Sequence, residues 1–175
     1  EGVSTRKVDD LLAAMGVTAF DKSRVSRACK ELDELVTAFR ERPLDAAYPY
    51  LWLDALYVKV RQNHRIVSRA LVIAMGVRET GEREVIGFAL GASEEQAFWR
   101  EFLRSLVRRG LHGVSLVVSD AHEGLKAAQT EVLGGASWQR CRVHFMRNVL
   151  AHIPKGDKTV VAAVLRTIFA QGNRA

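Results

Sequence analysis

The stretch that most narrows the possible folds is Tyr48-Pro49-Tyr50-Leu51-Trp52-Leu53-Asp54-Ala55-Leu56-Tyr57-Val58-Lys59-Val60. An unbroken run of Leu, Trp, Tyr and Val bounded by proline describes a core β-strand. A carboxylate sits in the middle of it. Buried without a partner, an ionised carboxylate costs several kcal/mol or surrenders its charge. Asp54 must therefore face solvent, a basic partner or a metal ion. The strand leaves open a surface acid, an ion-paired acid and an active-site acid.

The rest of the chain supplies the frame for that strand. Ser4 to Gly16 carries Val8, Leu11, Leu12 and Met15 at helical spacing, between a Ser/Thr start and a glycine stop. A second helix is predicted from Asp21 or Ser23 to about Arg42, with Val25, Ala28, Leu32, Leu35, Val36 and Phe39 on one stripe. The pair resembles a helix-turn-helix reader, with a plain helical hairpin as the equal alternative. Pro43 closes it, and residues 43–49 read as a linker. Three strands follow, over 51–60, 65–77 and 84–90, joined by turns short enough to make them an antiparallel meander. Gln62-Asn63-His64 makes the first turn, with His64 a turn residue.

Ser93-Glu94-Glu95-Gln96 has the form of a capping box, opening a helix that Gly110 ends. Val114 to Asp120 is almost wholly apolar, as expected of a strand buried on both faces and parallel to its neighbours. A helix over 121–133, a short strand over 136–141 and a helix over 143–153 come next, broken by Pro154-Lys155-Gly156 ahead of a last helix. The order β-β-β-α-β-α-β-α predicts a mixed α/β sheet with flanking helices. In such a sheet strand four, laid parallel beside strand one, brings Asp120 close to Asp54. The predicted organisation is a helical segment and linker over 1–48, an α/β core over 49–155 and the start of a helical insertion over 156–175. The opening Glu1 and the unfinished end read as a piece excised from a longer protein.

Charge narrows the partners. The net charge is +6, and residues 136–175 hold seven Lys/Arg against one acid, while the preceding segments are nearly balanced. A one-sided basic segment suits a polyanion, or a solvated helix face. Two cysteines make no disulfide framework, no apolar run spans a bilayer and no signal-peptide pattern opens the chain, so a cytoplasmic protein with no membrane partner is expected.

Asp120-Ala121-His122-Glu123 also has the form of a capping box, which accounts for Asp120 and leaves Asp54 unexplained. Ligands of α/β sheets gather outside the carboxyl ends of the strands, where Asp120 is expected. Two carboxylates meeting there repel unless a cation lies between them, and oxygen donors suit Mg2+ or Mn2+. Glu123 reads as a cap partner and Glu131 as a solvent-facing acid. Cys141-x-x-His144 lacks the second Cys/His pair that a zinc site needs, and a Cys/His nucleophile would lack an oxyanion motif.

Three motifs in order, Leu51-Trp52-Leu53-Asp54-Ala55, Val117 through Lys126 and Trp138 through Asn148, closely resemble the Mutator-type transposases of bacterial insertion sequences. The resemblance runs from about Gly2 to about Lys155. It implies a ribonuclease H-like core with three antiparallel strands then two parallel ones, and a DDE triad whose first two acids are Asp54 and Asp120. It implies two Mg2+ or Mn2+ ions in the complete site, held in part by those acids, and a third Glu beyond residue 175, leaving this piece inactive. Ala121 stands where many relatives have glycine. By the same resemblance Cys141 and His144 support the site structurally or position DNA. Arg140, Arg142 and Arg147 flank that motif within the basic segment and are the candidates for backbone contacts to transposon-end or target DNA, and Lys126, beside Asp120, is either a further phosphate contact or a plain surface residue, as is His122. A homo-oligomer is implied on DNA. A helix-turn-helix regulator without catalysis, and another ribonuclease H-like nuclease such as a junction resolvase, are the alternatives.

Overall fold

A computed structural model describes residues 22–170. The helix expected over 4–16, and with it half of the helical hairpin, lies outside them. Helix α1, Lys22–Glu41, corresponds to the second of the two helices expected there. It ends before Pro43 because the residue preceding a proline is driven out of helical geometry. Its stripe is not covered by the described chain: Leu32 and Leu35 are 59% and 69% exposed. Only its end is anchored, by Phe39 stacked on Phe88 at 5.7 Å between ring centroids.

Strands β1 (Tyr50–Gln62), β2 (Arg65–Val77) and β3 (Arg83–Gly91) form the antiparallel meander. Asn63 and His64 turn the first hairpin with φ of 47° and 60°, as a two-residue type I′ turn requires. Helix α2 (Gln96–Arg108) leads to β4 (Leu116–Ser119), helix α3 (Glu123–Val132) to β5 (Ser137–Arg140), and helices α4 (Arg142–Ala151) and α5 (Lys158–Phe169) follow. The sheet order is β3-β2-β1-β4-β5, with β4 parallel to β1 and β5 parallel to β4. This is the mixed sheet expected from the sequence, three antiparallel strands followed by two parallel ones. Among the described residues no helix is long and apolar enough to cross a membrane.

Alternation along the strands sets the layers. Leu51 and Leu53 of β1, Val72 and Ala74 of β2, Ile86 of β3 and Val117 of β4 are buried on one face. Trp99, Phe102, Leu103 and Leu106 recur three and four apart on α2 and cover that face, joined by Leu125 and Ala128 of α3. The capping box expected at Ser93 does not form. Helix α2 starts at Gln96 with Glu95 as its cap, and the Ser93 hydroxyl donates to the Glu95 carboxylate at 2.7 Å. Strand β3 runs to Gly91, so Ala92–Glu95 must carry the chain over to the helical layer, which leaves Ser93 too far ahead of the helix to cap it.

The 43–49 stretch, read as a linker, is part of the core: Leu44 and Tyr48 are buried. Tyr48 lies so close over Gly76 that a Cβ there would stand 2.5 Å from its ring. Its hydroxyl donates to Glu84 at 2.6 Å, and Arg42 and Arg78 donate to the same carboxylate at 2.9 and 2.8 Å. Arg109 completes the fastening by donating to the carbonyls of Arg42, Ile86 and Phe39, so a cation meets the carboxyl end of α1. Burial, and then the charge of Arg42, pull the Arg109 pKa down.

Burial alone would raise the Glu84 carboxyl, but the hydrogen bonds from Tyr48, Arg42 and Arg78 outweigh it and hold the pKa at about 2 against an ordinary 4.5. A depressed carboxylate adds stability that is fully present above its unfolded value and disappears as pH falls through the folded one. We predict that Glu84→Gln costs on the order of 3 kcal/mol at pH 7. In denaturant titrations the gap between wild type and variant should close as pH falls from 4.5 toward 2. A gap independent of pH would contradict this account.

Candidate functional site

Asp54 owes its position to strand alternation. Leu51 and Leu53 point into the core, so Trp52 and Asp54 point to the other face, and the Asp54 side chain is 62% exposed. Asp120 is the first residue past β4. The parallel pairing of β1 with β4 runs Tyr50↔Leu116, Leu51↔Val117, Trp52↔Val118 and then stops. Two residues further along each chain stand Asp54 and Asp120. The two acids thus lie at the same level, where β4 ends and the sheet opens beside β1.

Each carboxylate is held by its own backbone. Asp54 Oδ1 accepts the Ala55 N–H at 2.9 Å and Asp120 Oδ1 the Ala121 N–H at 2.7 Å. The capping box read into Asp120 is therefore not made: His122 is the cap of α3, and Asp120 is too far ahead to reach the helix amides. Ser119, 1% exposed, fixes the backbone here. Its hydroxyl donates to the Asp120 carbonyl at 2.8 Å and accepts the Trp138 indole N–H at 2.9 Å. Among the described residues the nearest basic side-chain atoms are His144 Nε2, 3.8 Å from Asp54, and Arg140 Nε, 3.9 Å from Asp120. Both distances exceed hydrogen-bond length.

A cleft of about 130 Å³ joins the two acids, walled by Leu53, Trp99 and Leu125 and rimmed by Glu94, His122 and His144. Among the described residues the buried Trp99 indole N–H, His144 Nδ1 and Arg140 Nε, at the cleft or beside it, have no hydrogen-bond partner. Gly124 permits this arrangement. A Cβ at that position would stand 3.0 Å from Gln96 N and 3.2 Å from the Glu94 carbonyl, so glycine lets α3 begin close against the start of α2. Glu94 and Trp99 were not legible as site residues: one sits in a helix-cap pattern, the other on an apolar helix stripe.

The remaining expected residues divide. His144 reaches the cleft from α4, whereas Cys141 holds the cap position of that helix, and its backbone N–H donates to the carbonyl of Ser119, the residue before Asp120, at 2.6 Å. Arg140 faces Asp120 and lies over Phe145 at 5.7 Å. Lys126 pairs with Glu123 at 3.1 Å and covers Trp138. Glu131 is exposed, as expected, and also ties α3 to α2 by accepting from Arg104 at 2.9 Å. Arg142 and Arg147 are exposed and line a separate groove of about 480 Å³ between α4 and α5, with Met146, Leu150 and Phe169.

As a donor set, two carboxylates lining one cleft, with Oδ2 atoms unengaged among the described residues and only long contacts from Oδ1 to Arg140 and His144, fit a hard divalent cation. Among the described residues no three His, Cys, Asp or Glu side chains converge to hold one. Asp54 and Asp120 thus fit as part of a ligand set.

The whole chain, residues 1–175, matches the family described as Transposase, Mutator family. It is 48% identical over 171 residues to the transposase for insertion sequence element IS1081 of Mycobacterium tuberculosis, covering 97% of this chain and 41% of that protein. It is 45% identical over 177 residues to the IS406 transposase of Burkholderia multivorans, covering 99% and 45%. The transposase for IS256 in transposon Tn4001 of Staphylococcus aureus is 40% identical over 169 residues, covering 96% and 43%. The chain thus spans less than half the length of these relatives. Among solved structures, the Drosophila P element transposase strand transfer complex aligns at a TM-score of 0.47 and 17% identity, over 86% of this chain and 41% of that one. Matched along its whole length, the chain belongs to the Mutator family of transposases.

Proposed function

We propose that this chain supplies two carboxylates of a DNA strand-transfer centre, Asp54 and Asp120, within a longer transposase. The observation that carries the reading is their position, level with one another where β4 ends beside the continuing β1, each with a basic side chain no nearer than 3.8 Å. A third carboxylate from outside residues 22–170 completes the set, so these residues alone do not join DNA. Divalent cations of the Mg2+ or Mn2+ class, two in the complete site, supply activation of the attacking oxygen and stabilisation of the leaving one.

In the first reaction, water attacks a phosphodiester at the element's end, breaking the bond to the 3′-oxygen and freeing a 3′-hydroxyl. In the second, that hydroxyl attacks a target phosphodiester in line and the displaced target oxygen leaves. Asp54 and Asp120 hold the charge that fixes this geometry. His144, beside Asp54 with Nδ1 unengaged, and Arg140, beside Asp120, orient the carboxylates and meet the scissile strand. Arg142 and Arg147 track the DNA backbone from their groove. Cys141 acts as a structural support, tying the start of α4 to β4.

The central test is strand transfer by the full-length protein on transposon-end DNA with Mg2+. Asp54→Asn and Asp120→Asn should each lower joining by about 1,000-fold or more while leaving DNA binding and thermal stability near wild type. Both should also lose the thermal-stability shift that Mn2+ gives the wild type. Undiminished joining in either variant sinks the assignment, and cleavage without joining in the wild type favours a resolvase-like nuclease.

A second prediction concerns the groove. Arg142→Gln with Arg147→Gln should weaken binding alike across DNA sequences and reduce the slope of log affinity against log salt by about 1–2. An unchanged slope would remove both residues from the interface.

A further inference from the structure

The β1–β2 hairpin outgrows the sheet it belongs to. Pairing of β1 with β4 stops at Trp52, and pairing of β2 with β3 reaches only to Ala70. From Val58 to Arg69 the two strands pair with each other alone, closed by the Asn63-His64 turn. An isolated two-stranded ribbon is marginal in water and gains little from its own packing. Core formation therefore does not explain its length.

Its composition is one-sided. Between Ala55 and Val77 the chain has Lys59, Arg61, Arg65 and Arg69 and no Asp or Glu. None of these four cations is ion-paired among the described residues. Arg69 donates only to Gln62 across the ribbon. Cross-strand partners share a face, so Lys59 and Arg61 lie on one side with Ser68 and Ile66, and Arg65 and Arg69 on the other with Gln62 and Val58. Protection of a sheet edge would call for such charges, yet it would not leave Tyr57 and Ile66 56% and 69% exposed among them.

We propose that this ribbon is a second DNA-binding element, one that enters a groove of duplex DNA and contacts the phosphates on both walls. The proposal rests on the strand-transfer reading for its partner. Cations on both faces suit a ribbon standing between two phosphate walls better than one lying flat. The major groove of B-DNA admits a two-stranded ribbon, whereas the deep, narrow major groove of A-form RNA does not. With Tyr57 at its base and His64 at its turn as its only rings, the ribbon has no row of aromatics on which successive bases of a single strand could stack. The ribbon also continues the strand that carries Asp54. At a strand rise of about 3.3 Å per residue, Lys59 lies roughly 17 Å and the turn roughly 30 Å along β1 from that acid, close to one turn of duplex. DNA held at Asp54 would meet the ribbon along its flank.

The test measures binding of the full-length protein to a 30-bp transposon-end duplex by fluorescence anisotropy over a salt series. Lys59→Gln with Arg61→Gln, and Arg65→Gln with Arg69→Gln, should each weaken binding by about tenfold at moderate salt and flatten the log–log salt slope by about 1–2. Arg104→Gln with Arg108→Gln removes the same charge from α2, where both arginines pair with glutamates, and should leave the slope unchanged. Arg65→Lys with Arg69→Lys should restore it. Wild-type slopes in both ribbon variants overturn the ribbon's role without touching the strand-transfer reading, whose own failure is joining by Asp54→Asn. Equal losses in the α2 control, tighter binding to double-stranded RNA, or no DNA binding by the wild type would each overturn the proposal too.

Discussion

The short parallel pairing of β4 with β1 is the constraint on which the rest of the molecule depends. Three residue pairs, Tyr50↔Leu116 through Trp52↔Val118, join the meander to the helical half of the chain. Because β4 then ends while β1 continues, the sheet parts at the level of Asp54 and Asp120. The same termination leaves room for α4 to bring His144 to one acid and for Arg140, at the end of β5, to face the other. A longer β4 would hydrogen-bond along β1 and seal the cleft. The site is thus a consequence of strand length as much as of residue type.

Supporting contacts lie mostly away from the acids. Ser119 and Trp138 lock the end of β4 to β5, and Gln129, 3% exposed, holds the turn into β5 by donating to the Ala136 carbonyl at 3.0 Å. On the far side, Glu84 and Arg109 gather the end of α1 and the 43–49 stretch onto the sheet through hydrogen bonds to charged groups, the stronger kind. Among the described residues the buried side-chain atoms without a hydrogen-bond partner fall on both sides: the Trp99 indole N–H, His144 Nδ1 and Arg140 Nε at or beside the site, and Arg42 Nε in the Glu84 cluster.

Periodicity made the element order and the meander legible, because alternating Leu and Val with short turns admits few other arrangements. The acids stood out because Asp54 violates its strand. Helix caps were misread at both Ser93 and Asp120. The residue types were right, but where a helix starts depends on how far the preceding strand runs, which is a tertiary matter. Glu94 went unnoticed for the same reason. The basic ribbon was hidden by counting charge over long segments, where acids elsewhere cancelled Lys59, Arg61, Arg65 and Arg69.

Local chemistry along the chain was enough to indicate the class of fold and the family resemblance, and to single out Asp54 and Asp120 as candidates. Strand periodicity, turn residues and a carboxylate out of place are properties of neighbours in sequence. Which groups share a cleft was decided by packing. Leucines on one face of β1 turn Asp54 to the other, Gly124 lets two helix starts approach, and β4 stops where it does. Cys141 and His144, three residues apart and read as one motif, end with different tasks because a helix start separates them: one holds the cap position, the other reaches the acids.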